Sequence, residues 1–94
     1  MKRVAILGST GSIGTQALEV ISQHPDEFSV EVLTAHNNAD LLIKQAIQFQ
    51  PNTVIISNKE KYSYVQQALD SHMIKVFAGD QALAQVVEMD TIDI

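Results

Sequence analysis

Arg3-Val4-Ala5-Ile6-Leu7-Gly8-Ser9-Thr10-Gly11-Ser12-Ile13-Gly14 is the stretch whose reading decides the fold. A short apolar run stops at Gly8, and Gly11 and Gly14 follow at intervals of three. Thr15-Gln16-Ala17-Leu18-Glu19-Val20-Ile21 then supplies helix formers with an apolar stripe. Strand, glycine turn and helix, in that order, are what a phosphate-binding loop requires. The first N–H groups of a helix have no intrahelical partners, and the helix dipole places partial positive charge there, so an anionic phosphate fits. In this reading Gly8 lets the strand turn sharply, Gly11 lets a pyrophosphate approach the main chain, and Gly14 lets the helix lie close on the sheet. The backbone N–H groups of Thr10, Gly11, Ser12 and Ile13 are the expected donors. The Thr10 and Ser12 hydroxyls add contacts, with N-capping of the helix as their competing role. The spacing is G-x-x-G-x-x-G, whose tight turn is one residue longer than the usual G-x-G-x-x-G dinucleotide fingerprint. A plain strand-to-helix corner needs only one glycine, so the triplet and its context favour a ligand.

Outward from that stretch, apolar runs and helical patterns alternate without a break. His24-Pro25-Asp26 stops the first helix, and Ser29 to Ala35 alternates and is rich in β-branched residues, which predicts strand two. Asn38 predicts an N-cap for a helix whose core face carries Leu41, Leu42, Ala46 and Phe49. Pro51-Asn52 breaks it, and Thr53-Val54-Ile55-Ile56-Ser57 reads as a strand covered on both faces. Asn58 opens a third helix carrying Tyr62, Val65 and Leu69 and ending near His72. Ile74 to Phe77 is a short fourth strand, with Met73 and Phe77 assigned to packing. Leu83, Val86 and Val87 mark a fourth helix, and residues 90–94 resemble the approach to a fifth strand. This rhythm predicts an α/β fold, a doubly wound parallel sheet of the Rossmann type, truncated after about four βα units. Residues 1–94 are expected to be a fragment, the amino-terminal dinucleotide-binding domain of a longer enzyme whose catalytic and C-terminal domains lie elsewhere. A missing strand beside strand one would leave that edge under-covered, so a homo-oligomer is expected.

Composition narrows the partners. Six basic against eleven acidic residues give a net charge of −5, and no basic stripe interrupts it. Nucleic acid and anionic membranes are therefore not expected as partners, and any attraction for phosphate has to be local. The absence of cysteine rules out disulfides and thiolate metal sites within the 94 residues. The apolar run after Lys2-Arg3 is far shorter than the ~7–15 residues of a secretory h-region. Nor does any stretch reach the ~20 apolar residues of a membrane span, so a cytoplasmic location is the default expectation.

Cofactor choice falls to the end of strand two. An NAD site expects Asp or Glu there to accept from the ribose 2′-hydroxyl. The sequence has Ala35-His36-Asn37-Asn38, with Glu31 too early and Asp40 inside the helix. A carboxylate would repel a 2′-phosphate, so its absence favours NADP. His36, Asn37 and Asn38 are the expected neighbours of that phosphate, donating hydrogen bonds with little charge attraction. Helix capping is the competing role for Asn38 and a solvated loop position that for His36. His24 and His72 sit near helix ends, where an imidazolium complements the dipole, and read as structural. No acid–base pair, nucleophile, Tyr-x-x-x-Lys pair or metal-ligand cluster appears, so no catalytic or metal residue is assigned.

The run Ile6 to Gln16, with Leu18, His24-Pro25 and Phe28, resembles the amino terminus of the 1-deoxy-D-xylulose-5-phosphate reductoisomerase family. The run is far more specific than the glycine spacing, and the resemblance covers the whole chain, weakening beyond Asn38. It implies an NADPH-dependent enzyme of the non-mevalonate isoprenoid pathway, which isomerises a phosphosugar and reduces the product to 2-C-methyl-D-erythritol 4-phosphate. It also implies a divalent cation (Mg or Mn) in the full-length enzyme, held by downstream carboxylates, and a fragment that is inactive alone. Family members often carry Gly at the position of His36 and Lys or Arg at that of Asn37; this chain departs at both. Two rivals stand beside this reading: another G-x-x-G-x-x-G reductase, and a non-enzymatic dinucleotide-sensing module.

Overall fold

A computed structural model describes residues 2–79. Four strands alternate with three helices: β1 (Lys2–Ile6), α1 (Ser12–Ser22), β2 (Phe28–Ala35), α2 (Ala39–Phe49), β3 (Thr53–Ile56), α3 (Tyr62–Leu69) and β4 (Lys75–Ala78). The strands are parallel and lie in the order β1-β2-β3-β4. Each βαβ crossover is expected to be right-handed, and steps taken in one direction then put every helix on the same face. The core agrees. Leu18 and Ile21 of α1, Leu42 and Ala46 of α2, and Val65 and Leu69 of α3 share one buried cluster with Leu33, Val54 and Ile56. A fully buried side chain of this size contributes about 1.5–3 kcal/mol through removal from water.

Ala5, Val32 and Ile55 form a separate buried cluster on the opposite face. The parallel Rossmann-like sheet expected from the sequence is therefore present, with the three described helices gathered on one side of it. The fourth helix around Leu83, Val86 and Val87 and the approach to a fifth strand lie outside the described residues.

Strict alternation fails at one point in β2. Val4 pairs with Val30 but Ala5 pairs with Val32, so Glu31 is an extra residue in that strand. Such a bulge reverses the facing of the residues beyond it. It explains how Val30 and Leu33, three apart, reach the same cluster. The third helix also begins later than its pattern suggested. Asn58 caps a single 3-10 turn (Lys59–Lys61), and α3 starts only at Tyr62. Met73, assigned to packing, is 92% exposed, in the left-handed conformation that ends the turn after α3. Phe77 is half exposed on the face opposite the helices. Apolar identity alone could not distinguish those positions from core, because single exposed hydrophobics are ordinary on a surface.

Candidate functional site at the carboxyl edge of the sheet

The loop between β1 and α1 is held at its root from two directions. Gly8 has φ of +69°, the left-handed region that disfavours a side chain, and this is where the strand turns. Its N–H donates to Thr34 Oγ1 at 2.8 Å, and the Ser9 N–H donates to the Thr34 carbonyl at 2.7 Å. Ser9 is fully buried. Its hydroxyl donates to Gln45 Oε1 at 2.6 Å, while Gln45 Nε2 returns a bond to the Ser9 carbonyl at 2.8 Å. The buried carboxamide of α2 thus pairs both polar groups of Ser9 reciprocally. Leaving either unpaired in the core would cost about 1–3 kcal/mol.

Gly14 sets the distance between loop and helix. A Cβ there would lie 2.3 Å from the Gly8 carbonyl oxygen and 2.6 Å from Ser9 Cα. The close approach expected of Gly14 exists, but its partner is the Gly8–Ser9 backbone and not the sheet itself. Gly11 departs from expectation in a second way. Its N–H donates to the Gly8 carbonyl at 3.0 Å, closing the turn, so that amide is committed internally. Gly11 also occupies the N-cap of α1, with no side-chain capping bond. The Thr10 and Ser12 hydroxyls are therefore not caps, and the carbonyl of Ser12 accepts from Thr15 Oγ1 at 3.0 Å.

What remains open is a set of donors. The first helical bond of α1 runs from Thr15 N–H to Gly11 C=O. Among the described residues, the N–H groups of Thr10, Ser12, Ile13 and Gly14 have no hydrogen-bond partner. The first turn of α1 carries no acidic residue, so nothing local neutralises the dipole. Of the four N–H groups named as candidate donors, those of Thr10, Ser12 and Ile13 are free of internal partners and that of Gly11 is not; the Gly14 N–H is free as well.

At the end of β2 the structure separates the three expected neighbours of a 2′-phosphate. Asn38 caps α2, its Oδ1 accepting from the Leu41 N–H at 3.3 Å. His36 and Asn37 are exposed and line a cleft of about 540 Å³ with Ser57, Asn58, Lys59 and Gly79. Asn38 does not line it. Asn58 Nδ2 donates to Asn37 Oδ1 at 2.8 Å, and the Asn58 N–H donates to the His36 carbonyl at 3.0 Å. Asp40, the nearest acid in the chain after β2, accepts a hydrogen bond from the Tyr64 hydroxyl on α3. That bond and the carboxylate's charge hold the Tyr64 phenol above its usual 10.0.

The phosphate-loop candidate and this cleft follow the carboxyl ends of adjacent parallel strands, where open α/β sheets collect their ligands. A cavity of about 390 Å³ at the other end of α1, walled by Ile21, Pro25, Phe28 and Phe49, contains no titratable side chain. His24 sits 3.4 Å from Glu27 on the surface, and the His72 ring lies 3.5 Å from Gln50 Nε2. Among the described residues, no three His, Cys, Asp or Glu side chains converge on a point. Thr34 and Gln45, which brace the loop, and Lys59, which lines the cleft, were not among the residues expected at the site. Gln45 had left a signal, a polar residue inside the apolar stripe of α2 between Leu42 and Ala46.

Fold and loop together define a Rossmann-like α/β domain with an anion-receptive turn at its first helix. Residues 4–94 match the family described as 1-deoxy-D-xylulose 5-phosphate reductoisomerase, and the chain belongs to that family. The reductoisomerase of Phocaeicola vulgatus is 56% identical over 93 residues, covering 99% of this chain and 24% of the relative. That of Saccharophagus degradans is 40% identical over 95 residues, with the same coverage of 99% and 24%. The solved reductoisomerase of Zymomonas mobilis in complex with NADPH superposes with a TM-score of 0.91 at 30% identity, covering 96% of this chain and 24% of that one. A reductoisomerase structure with NADPH, fosmidomycin and magnesium gives 0.92 at 29% identity, over 99% of this chain and 23% of the other. The chain thus spans about a quarter (24%) of the length of the relatives it matches.

Proposed function

We propose that residues 1–94 are the amino-terminal NADPH-binding part of a reductoisomerase. The whole protein would convert 1-deoxy-D-xylulose 5-phosphate to 2-C-methyl-D-erythritol 4-phosphate in the non-mevalonate isoprenoid pathway, in the cytoplasm. One observation carries the reading: unpartnered N–H groups on Thr10, Ser12, Ile13 and Gly14 at a helix start braced by Gly8, Ser9 and Gln45. They would hold the diphosphate of the cofactor. His36 and Asn37 would flank its 2′-phosphate, with Asn38 positioning the turn between them and α2. Bound NADPH supplies a hydride. The role of this chain is to place it, not to move a proton or make a bond.

The phosphosugar and a divalent cation are assigned to parts of the protein outside these 94 residues, and the segment alone is expected to turn nothing over. Membership of the family leaves no support for a different G-x-x-G-x-x-G reductase, and no observation favours a sensor. Calorimetric titration of the full-length protein with NADPH and NADH tests the reading. Saturable NADPH binding, tighter than NADH, is expected. Failure to bind either dinucleotide would overturn it.

A further inference from the structure

The end of β2 in this chain carries no cation, yet a phosphomonoester needs one or a dense set of donors to be distinguished from a hydroxyl. Among the described residues, one lysine or arginine side chain lines the cleft beside His36 and Asn37, and it comes from the end of the neighbouring strand. Lys59 follows β3 at the first position of the 3-10 turn, where Asn58 caps the turn through its Oδ1 and the Glu60 N–H at 3.0 Å. Its stem runs over Gly79, just after β4. Gly79 has φ of +94°, and a Cβ built on it would fall 2.9 Å from Lys59 Cε, so the lysine stem lies against the glycine. Among the described residues Lys59 makes no ion pair, and no carboxylate lines the cleft; the Glu60 side chain is not part of its wall.

The asparagines fix a polarity. Asn58 Oδ1 is used by the Glu60 N–H, so its other end must donate, and Asn37 receives that bond through Oδ1 at 2.8 Å. The carboxamide NH2 of Asn37 is then the end left to face a ligand. It can only donate. A cation and an oriented donor, with no carboxylate among the described residues lining the cleft, suit a group that only accepts.

We propose that Lys59 is the specificity-determining cation of this chain, contacting the 2′-phosphate of NADPH from the end of β3 with Asn37 donating beside it. The inference rests on the reading of the chain as an NADPH-binding segment.

The test is titration of the full-length protein with NADPH and with NADH, as wild type, Lys59→Ala and Lys59→Arg, at low and high salt. A charge-assisted contact is worth one to two decades when buried and less when solvent reaches it. Lys59→Ala is therefore expected to weaken NADPH roughly five- to tenfold while NADH changes by less than about twofold. Lys59→Arg should restore most of the loss, and wild type should show the steeper salt dependence for NADPH. If Lys59→Ala leaves NADPH unchanged, or weakens both dinucleotides alike, Lys59 has no role in selectivity and the proposal falls while the cofactor reading stands. If wild type binds neither dinucleotide, both fall together.

Discussion

Ser9 and Gln45 show how much of this loop is settled by two side chains remote in sequence. Both are buried, and each satisfies the other. Replacing Gln45 by Leu would keep the volume but strand the Ser9 hydroxyl and carbonyl. Chemical denaturation of Gln45→Leu is expected to show a loss of about 2–4 kcal/mol; a loss below about 0.5 kcal/mol would mean the pair is not buried as described. Gly14→Ala presses a methyl group to 2.3 Å from a backbone oxygen. We expect about 1–3 kcal/mol of destabilisation together with weakened NADPH binding, since α1 must move away from Gly8. The glycines announced themselves in the sequence because their spacing is local. Gln45 interrupts the apolar stripe of α2, but nothing local ties it to Ser9, because the two lie far apart in the chain.

The elements divide into those fixed by local chemistry and those fixed by their neighbours. Capping of α2 by Asn38 was legible, since a short acceptor just before an apolar helical period has few other uses. Asn38→Asp keeps a capping oxygen and adds a negative charge near the proposed 2′-phosphate. Thermal unfolding is expected to change little while NADPH affinity falls; unchanged affinity would reduce Asn38 to a cap alone. The bulge at Glu31 was not legible, because register is a property of two strands and no turn residue marks it.

Tyr64 on α3 offers a check on how α2 and α3 meet. Its bond to Asp40 stabilises the protonated phenol, so the contribution is complete below pH 10.0 and disappears as pH rises through the higher folded value. Ultraviolet titration of the tyrosinate should therefore give a raised midpoint that drops back toward 10.0 in Asp40→Ala. Identical midpoints in the two proteins would show that the contact does not form.

Across the whole molecule, the sheet order explains why the site is where it is. Parallel strands bring the connections after β1, β2 and β3, and Gly79 after β4, to one edge. The class of fold was readable because βα units repeat at short range, and the glycine turn because its motif is contiguous. Lys59 was not read as part of a site, because only the pairing of β2 with β3 brings position 59 beside position 37. In the described sheet β1 pairs only with β2, and self-association of the isolated segment is expected from that edge. A single monomeric species by light scattering at high concentration would contradict it.

The central claim, that the start of α1 grips a diphosphate, is tested most directly by Ser12→Asp in the full-length protein. An acidic residue in the first helical turn favours the helix by about 0.3–1 kcal/mol, so folding is protected while the same charge repels a bound diphosphate. Fluorescence titration should show NADPH affinity reduced by at least about tenfold, a difference of about 1.4 kcal/mol, with the melting temperature unchanged or raised. NADPH binding as tight as that of the wild-type protein would contradict the account.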